Sequence, residues 1–289
     1  MAVYKRSYRG YSGPVTPEWS RFLIIPRYAY QELFHSKIMT AFFVLCFVAP
    51  IVFLCLIYVA DNFASFARML NPTAPESSPI SINANFFLAF LNIQGVLAFI
   101  LTAFVGPSLI ASDLANRALP LYLCRPFSRA EYVAGKMAVL LVLLSLITWI
   151  PAMVLFGVHG SLMGGAWLAA NLWMVWAIFA GSWIWILMIS LLALALSAWV
   201  KWKIAAGALL LAVFFVAAAF GEAVNAVLEV SWGKLINLMY LFVTIWRQLF
   251  RLHEPSDISP GSAWVMLALI SAGCLWLLYR KVRAFEVVR

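Results

Sequence analysis

Six stretches of this chain run without a single Asp, Glu, Lys or Arg: 38–60, 86–111, 137–158, 166–200, 204–220 and 261–279. As a helix, the first is about 34 Å long at 1.5 Å per residue, enough to cover a hydrocarbon core of roughly 30 Å. In lipid the backbone must satisfy its own donors and acceptors, and uncharged runs of this length do so as helices. The expectation is an all-α polytopic membrane protein with six transmembrane helices. Its composition, 65% hydrophobic and 11% charged, overrules the roughly two soluble domains that 289 residues would otherwise imply. Thirteen Trp and ten Tyr suit a chain with many membrane interfaces.

The first run lies between Lys37 and Asp61, too far in and too long for a signal-peptide core, so it reads as a retained span. Residues 61–85 carry Asn71-Pro72, Pro75 and Ser77-Ser78-Pro79 and read as a loop. Gly106-Pro107 is expected to bend the inner end of the second span. His159 to Gly165 reads as a short turn. The run 166–200 reads as one long or kinked span, because Asn171 and Gly181-Ser182 are poor material for a tight turn inside lipid. Residues 221–260 hold Glu222, Glu229, Lys234, Arg247, Arg251, Glu254 and Asp257; their uncharged run, 235–246, is too short to cross and reads as interfacial or re-entrant.

With six spans, sixteen of the twenty basic residues fall on one side, and Arg68, Lys234, Arg247 and Arg251 on the other. The positive-inside rule then puts both termini in the cytoplasm, in a multi-pass protein of the cytoplasmic (inner) membrane. This pattern, rather than nucleic-acid binding, accounts for the net charge of +9, since the basic residues flank apolar runs instead of forming a stripe. The chain divides into a cytoplasmic tail and amphipathic elbow (1–37), a six-helix transmembrane domain (38–279) and a cytoplasmic basic tail (280–289). In the elbow, Thr16 is a fair N-cap with Pro17 at N1; Trp19, Phe22 and Leu23 share a face, Pro26 interrupts, and Arg27 to Lys37 resumes.

No catalytic cluster stands out. The histidines, His35, His159 and His253, are scattered, none at metal-ligand spacing from another, and each reads as ordinary surface. Cys46, Cys55, Cys124 and Cys274 form no CxxC pair or disulfide framework. Ala134-Gly135-Lys136-Met137 resembles the end of a phosphate-binding loop but lacks the upstream Gly and the Ser/Thr for magnesium, so the chain is not expected to bind ATP. Span interiors carry no ionisable group with which to couple an ion gradient, and Asn92, Gln94 and Asn171 are read as interhelical hydrogen-bonding residues. The expectation is no enzyme, no cofactor and no metal; if the chain transports, its energy comes from another polypeptide.

The stretch that organises the rest is Ser112 to Lys136, SDLANRALPLYLCRPFSRAEYVAGK. Asp113 and Arg117 stand at i,i+4, and Pro120 limits how far one helix can run. Ser128 and Glu131 form a capping box, with Phe127 and Tyr132 placed as a hydrophobic staple, so a new helix starts here and enters the membrane.

Gly106-Pro-Ser-Leu-Ile-Ala-Ser-Asp113, followed by Arg125-Pro126-Phe-Ser-Arg129-Ala-Glu-Tyr132 and Gly135-Lys136, resembles the signature of ABC transporter permeases of the ABC-2 exporter type. The motif covers about thirty residues and the layout nearly the whole chain. Where members of that family often carry further acids and a Gly-Thr pair after the first acid, this chain has Leu114-Ala115-Asn116-Arg117-Ala118-Leu119. The resemblance implies a second permease copy or a homologous permease, a separate cytoplasmic ABC ATPase, and contact with membrane lipid. It makes the central stretch a cytoplasmic coupling loop, with Asp113, Arg117, Arg125, Pro126, Ser128, Arg129 and Glu131 as candidate coupling residues. The alternative is a membrane anchor or assembly scaffold that docks a cytoplasmic partner without transport.

Overall fold

The computed structural model describes residues 23–63, 81–116, 118, 128–200, 202–252 and 257–281, and among these there is no strand. The helices are α1 (Ile24–His35), α2 (Lys37–Leu45), α3 (Val48–Asp61), α4 (Ala84–Ala115), α5 (Arg129–Ile147), α6 (Trp149–Met163), α7 (Gly165–Trp199), α8 (Lys203–Leu228), α9 (Leu238–Leu249) and α10 (Pro260–Lys281). Six helical segments are long and apolar enough to cross a membrane: α2–α3, α4, α5–α6, α7, α8 and α10.

Prolines shape three of the six. Pro50 has no N–H to offer the Cys46 carbonyl, so the first span breaks between α2 and α3, and Gln94 Nε2 of α4 donates to the freed oxygen at 3.1 Å. Pro151 likewise denies a donor to Ile147, and the third span breaks at Thr148, whose hydroxyl turns back to the Leu144 carbonyl at 2.7 Å. Pro107 leaves α4 continuous.

Several boundaries differ from the sequence reading. Residues 159–163 are helical, and the expected turn shrinks to Gly164, whose φ of +90° an L side chain would resist. Pro26 does not interrupt a helix: it sits in the first turn of α1, where its missing N–H has no intrahelical acceptor to lose. Thr16, Pro17, Trp19 and Phe22 lie outside the described residues. The fifth span continues past Phe220 to Leu228 and stops where Glu229 adopts a left-handed φ of 51°. Asn92 and Asn171 donate within their own helices, to Leu88 and Trp167, so of the three expected interhelical amides only Gln94 reaches another helix.

At the centre stands α7, packed against α4, α5, α6, α8, α9 and α10. Its most apolar window is 72% buried, against 22% for the first, fifth and sixth spans, which form the periphery. Close approach of α4 and α7 requires a glycine: a Cβ on Gly106 would come within 2.7 Å of the Ala193 Cβ.

The short helix α9, 12 residues long, is not among the segments long enough to cross a membrane. Asn237 caps it by accepting from the Tyr240 N–H, and Lys234 before it pairs with Asp257 after it, so both of its ends return to one face. Its apolar side wedges between α4 and α7: Trp246 Nε1 donates to the Gly181 carbonyl at 3.0 Å, and Trp185 Nε1 of α7 donates to the Gly95 carbonyl at 3.2 Å. Gly95 and Gly181 leave the space the Trp246 ring fills.

Candidate functional site

The site is built where α4 ends and α5 begins. Ser128 Oγ accepts from the Glu131 N–H at 3.2 Å and Glu131 Oε2 accepts from the Ser128 N–H at 2.6 Å, so the capping box is complete and two orphan donors of the helix start are satisfied. This fixes the rotation of α5. Tyr132 and Lys136, one turn apart, then face the last turn of α4, where Asp113 stands.

Lys136 Nζ lies 2.8 Å from Asp113 Oδ2, and the Tyr132 hydroxyl donates to the same oxygen at 2.7 Å. The lysine side chain is 9% exposed and the aspartate 15%. Desolvation opposes such a pair unless further hydrogen bonds complete it, and the phenol supplies one. The ammonium also sits 5.7 Å from the centre of the Tyr132 ring. One carboxylate therefore ties the end of the second span to the start of the third, across the loop the sequence places between them.

Two neighbours brace this tie. From α1, the Tyr30 hydroxyl donates to the Val139 carbonyl at 2.8 Å, and burial pushes its pKa up to about 12. From α7, Ser197 enters the backbone ladder of α4: its Oγ donates to the Pro107 carbonyl and accepts from the Ala111 N–H, both at 2.9 Å. Those two backbone groups are i,i+4 partners of the helix ladder, so the hydroxyl bridges them in the turn that precedes Asp113. One turn further back, the Ala103 carbonyl that Pro107 cannot reach faces Gly207 of α8, where a Cβ would sit 3.0 Å away.

Of the sequence-derived candidates, the structure brings Asp113, Ser128, Arg129 and Glu131 to this corner. Arg117, Arg125 and Pro126 lie outside the described residues, as does Phe127 of the expected staple and with it the Asp113–Arg117 pairing. Lys136 is the addition. It reads in sequence as one more basic residue near a span, yet it lies one turn after Tyr132 on a capped helix, which is the signal that could have found it.

A second buried pair lies at the opposite ends of the spans. His159 Nδ1 of α6 is 2.8 Å from Asp61 Oδ2 at the end of α3, both side chains 4% exposed, and the imidazole meets the Trp167 ring edge-on at 4.5 Å. The expectation that His159 is ordinary surface is therefore corrected: α6 runs on past it and carries it into the packing. Among the described residues, no group of three or more His, Cys, Asp or Glu could hold a metal ion.

Fold and site together describe a multi-pass helical membrane protein whose second and third spans are clasped at one face. No protein-family model matches the chain, and no curated protein matches it.

Proposed function

We propose that this chain is the permease subunit of an ABC transporter of the exporter type, moving a substrate across the cytoplasmic membrane with ATP hydrolysed by a separate subunit. The observation that carries the reading is the clasp of Asp113 by Tyr132 and Lys136 beside the capped start of α5. A partner pressing on the loop between α4 and α5 would move both ends together, and the helix rigidly capped at Ser128 would carry the displacement into the third span. The six spans and the predominance of positive charge beside this loop support the orientation, with the loop and both termini cytoplasmic. Arg117, Arg125, Pro126 and Arg129 are the groups offered to the ATPase, while Glu131 acts through its cap. A second permease copy, or a homologue, completes the transporter.

The test is purification from the native membrane in mild detergent, identification of what accompanies the chain, and an ATP hydrolysis assay. A stoichiometric ATPase whose turnover falls on Asp113→Asn or Arg125→Ala is the expected result. Absence of an ATPase across several detergents would leave a membrane scaffold as the reading. With the ATPase in hand, Ser128→Ala together with Glu131→Ala should uncouple hydrolysis from transport; unchanged coupling would sink the lever.

A further inference from the structure

A cavity of about 1030 Å³ opens between α1, α2, α4 and α8 on the face that carries the Asp113 clasp. This is the upper end of the roughly 300–1,000 Å³ range of ligand pockets. Along α4 its lining runs from Asp113 back to Ile100, about 20 Å at 1.5 Å per residue, which matches the depth of one leaflet, half of a core of roughly 30 Å plus a headgroup layer. The deep part is apolar: Met39, Ile100, Phe104 and Leu211 line it, and Gly207 lets α8 close against α4 at its floor.

The outer rim is charged, and its charges divide unequally. Asp113 and Lys136 also line the cavity, but they are engaged with each other. Glu32 of α1 and Lys203 at the start of α8 line it as well, and neither has an ion-pair partner among the described residues. What remains for a ligand is one carboxylate, one ammonium and an apolar slot one leaflet deep.

We propose that this cavity binds one zwitterionic phospholipid, its acyl chains along Ile100, Phe104 and Leu211, its phosphate against Lys203 and its ammonium against Glu32. An anionic lipid would satisfy Lys203 and repel Glu32, and a neutral apolar molecule would engage neither charge. The lipid bridges α1 to α8 beside the clasp. This site does not rest on the transporter reading, since binding requires no ATPase.

The experiment is native mass spectrometry of the full chain, delipidated in detergent and titrated separately with phosphatidylethanolamine and phosphatidylglycerol. One phosphatidylethanolamine should be retained in preference to phosphatidylglycerol. Ala208→Trp places a ring in the slot from an exposed position and should weaken that retention by about tenfold, a difference of about 1.4 kcal/mol. Glu32→Lys, on the exposed side of α1, should reverse the preference towards phosphatidylglycerol without touching the core. Equal retention of the two lipids by the wild type, or a preference that Glu32→Lys leaves as it was, would overturn the proposal. So would undiminished retention in a folded Ala208→Trp protein, because the lipid would then be bound elsewhere.

Discussion

Asp113 Oδ2 accepts from Tyr132 and pairs with Lys136, at 2.7 and 2.8 Å, so a single oxygen at the end of α4 holds two side chains one turn apart on α5. Removing either charge leaves the other buried. Asp113→Asn or Lys136→Met alone should therefore cost about 3–5 kcal/mol in detergent unfolding, while the double variant should recover a substantial part. A double-mutant cycle reads the coupling directly; strict additivity would show that the two side chains do not depend on each other.

Ser197 belongs to two helices at once through its bonds to Pro107 and Ala111. Ser197→Val removes the bridging hydroxyl and keeps the ladder of α4 apart, leaving a buried N–H and C=O unpaired at a cost of about 1–3 kcal/mol. Ser197→Ala should cost less, because Ala111 N–H can then close on the Pro107 carbonyl. Thermal unfolding of the two variants side by side checks the order.

Gly106 marks the closest approach of α4 to α7. Gly106→Ala would drive its methyl into the Ala193 Cβ, which is no flexible side-chain end, and should destabilise by about 1–3 kcal/mol. Ala193→Gly in the same chain should restore most of the loss. Failure of the second substitution to rescue the first would place the conflict elsewhere.

At the far face, Asp61→Ala leaves the buried His159 Nδ1 without its acceptor and should cost about 1–3 kcal/mol. Asp61→Asn keeps an acceptor oxygen in reach, so its cost should be smaller. Equal losses in the two variants, measured by thermal unfolding, would mean that the charge rather than the hydrogen bond holds the contact.

The Lys234–Asp257 pair beside α9 gives a dependence on pH. Hydrogen bonds from Lys234 and Tyr240 hold the Asp257 carboxyl below its ordinary value of 3.8, and the hydrogen bond to Asp257 raises Lys234 above 10.5. A depressed carboxyl contributes stability above its unfolded pKa and loses it as pH falls through the folded one; a raised amine contributes below its unfolded pKa and loses it as pH climbs through the folded one. The stability gap between wild type and Asp257→Asn should stay level between those two values and shrink below pH 3.8. A gap that persisted unchanged at lower pH would show that the pair does not set it.

Much of the architecture was legible because lipid imposes a coarse rule. A span must be long and uncharged, so the six uncharged runs located the six membrane-length helices, although two ran on past their runs, α4 to Ala115 and α8 to Leu228. The capping box at Ser128 and Glu131 was legible for a different reason: it is made by residues three apart and needs no partner from elsewhere in the chain. The same locality explains how Asp113 could be picked out while its partners could not, since Lys136 meets it only when two helices joined by a loop are laid side by side.

By itself, then, the sequence determined the helical class, the number of long apolar segments and the start of α5, each a consequence of local chemistry or of the bilayer's thickness. Tertiary structure alone decided that His159 pairs with Asp61, that Ser197 enters the ladder of α4, and that α9 turns back with Trp246 seated at Gly95 and Gly181. The hydrogen bonds among those contacts join residues 65 to 98 positions apart. No periodicity encodes them, because they depend on how helices rotate and slide against one another once α7 is enclosed.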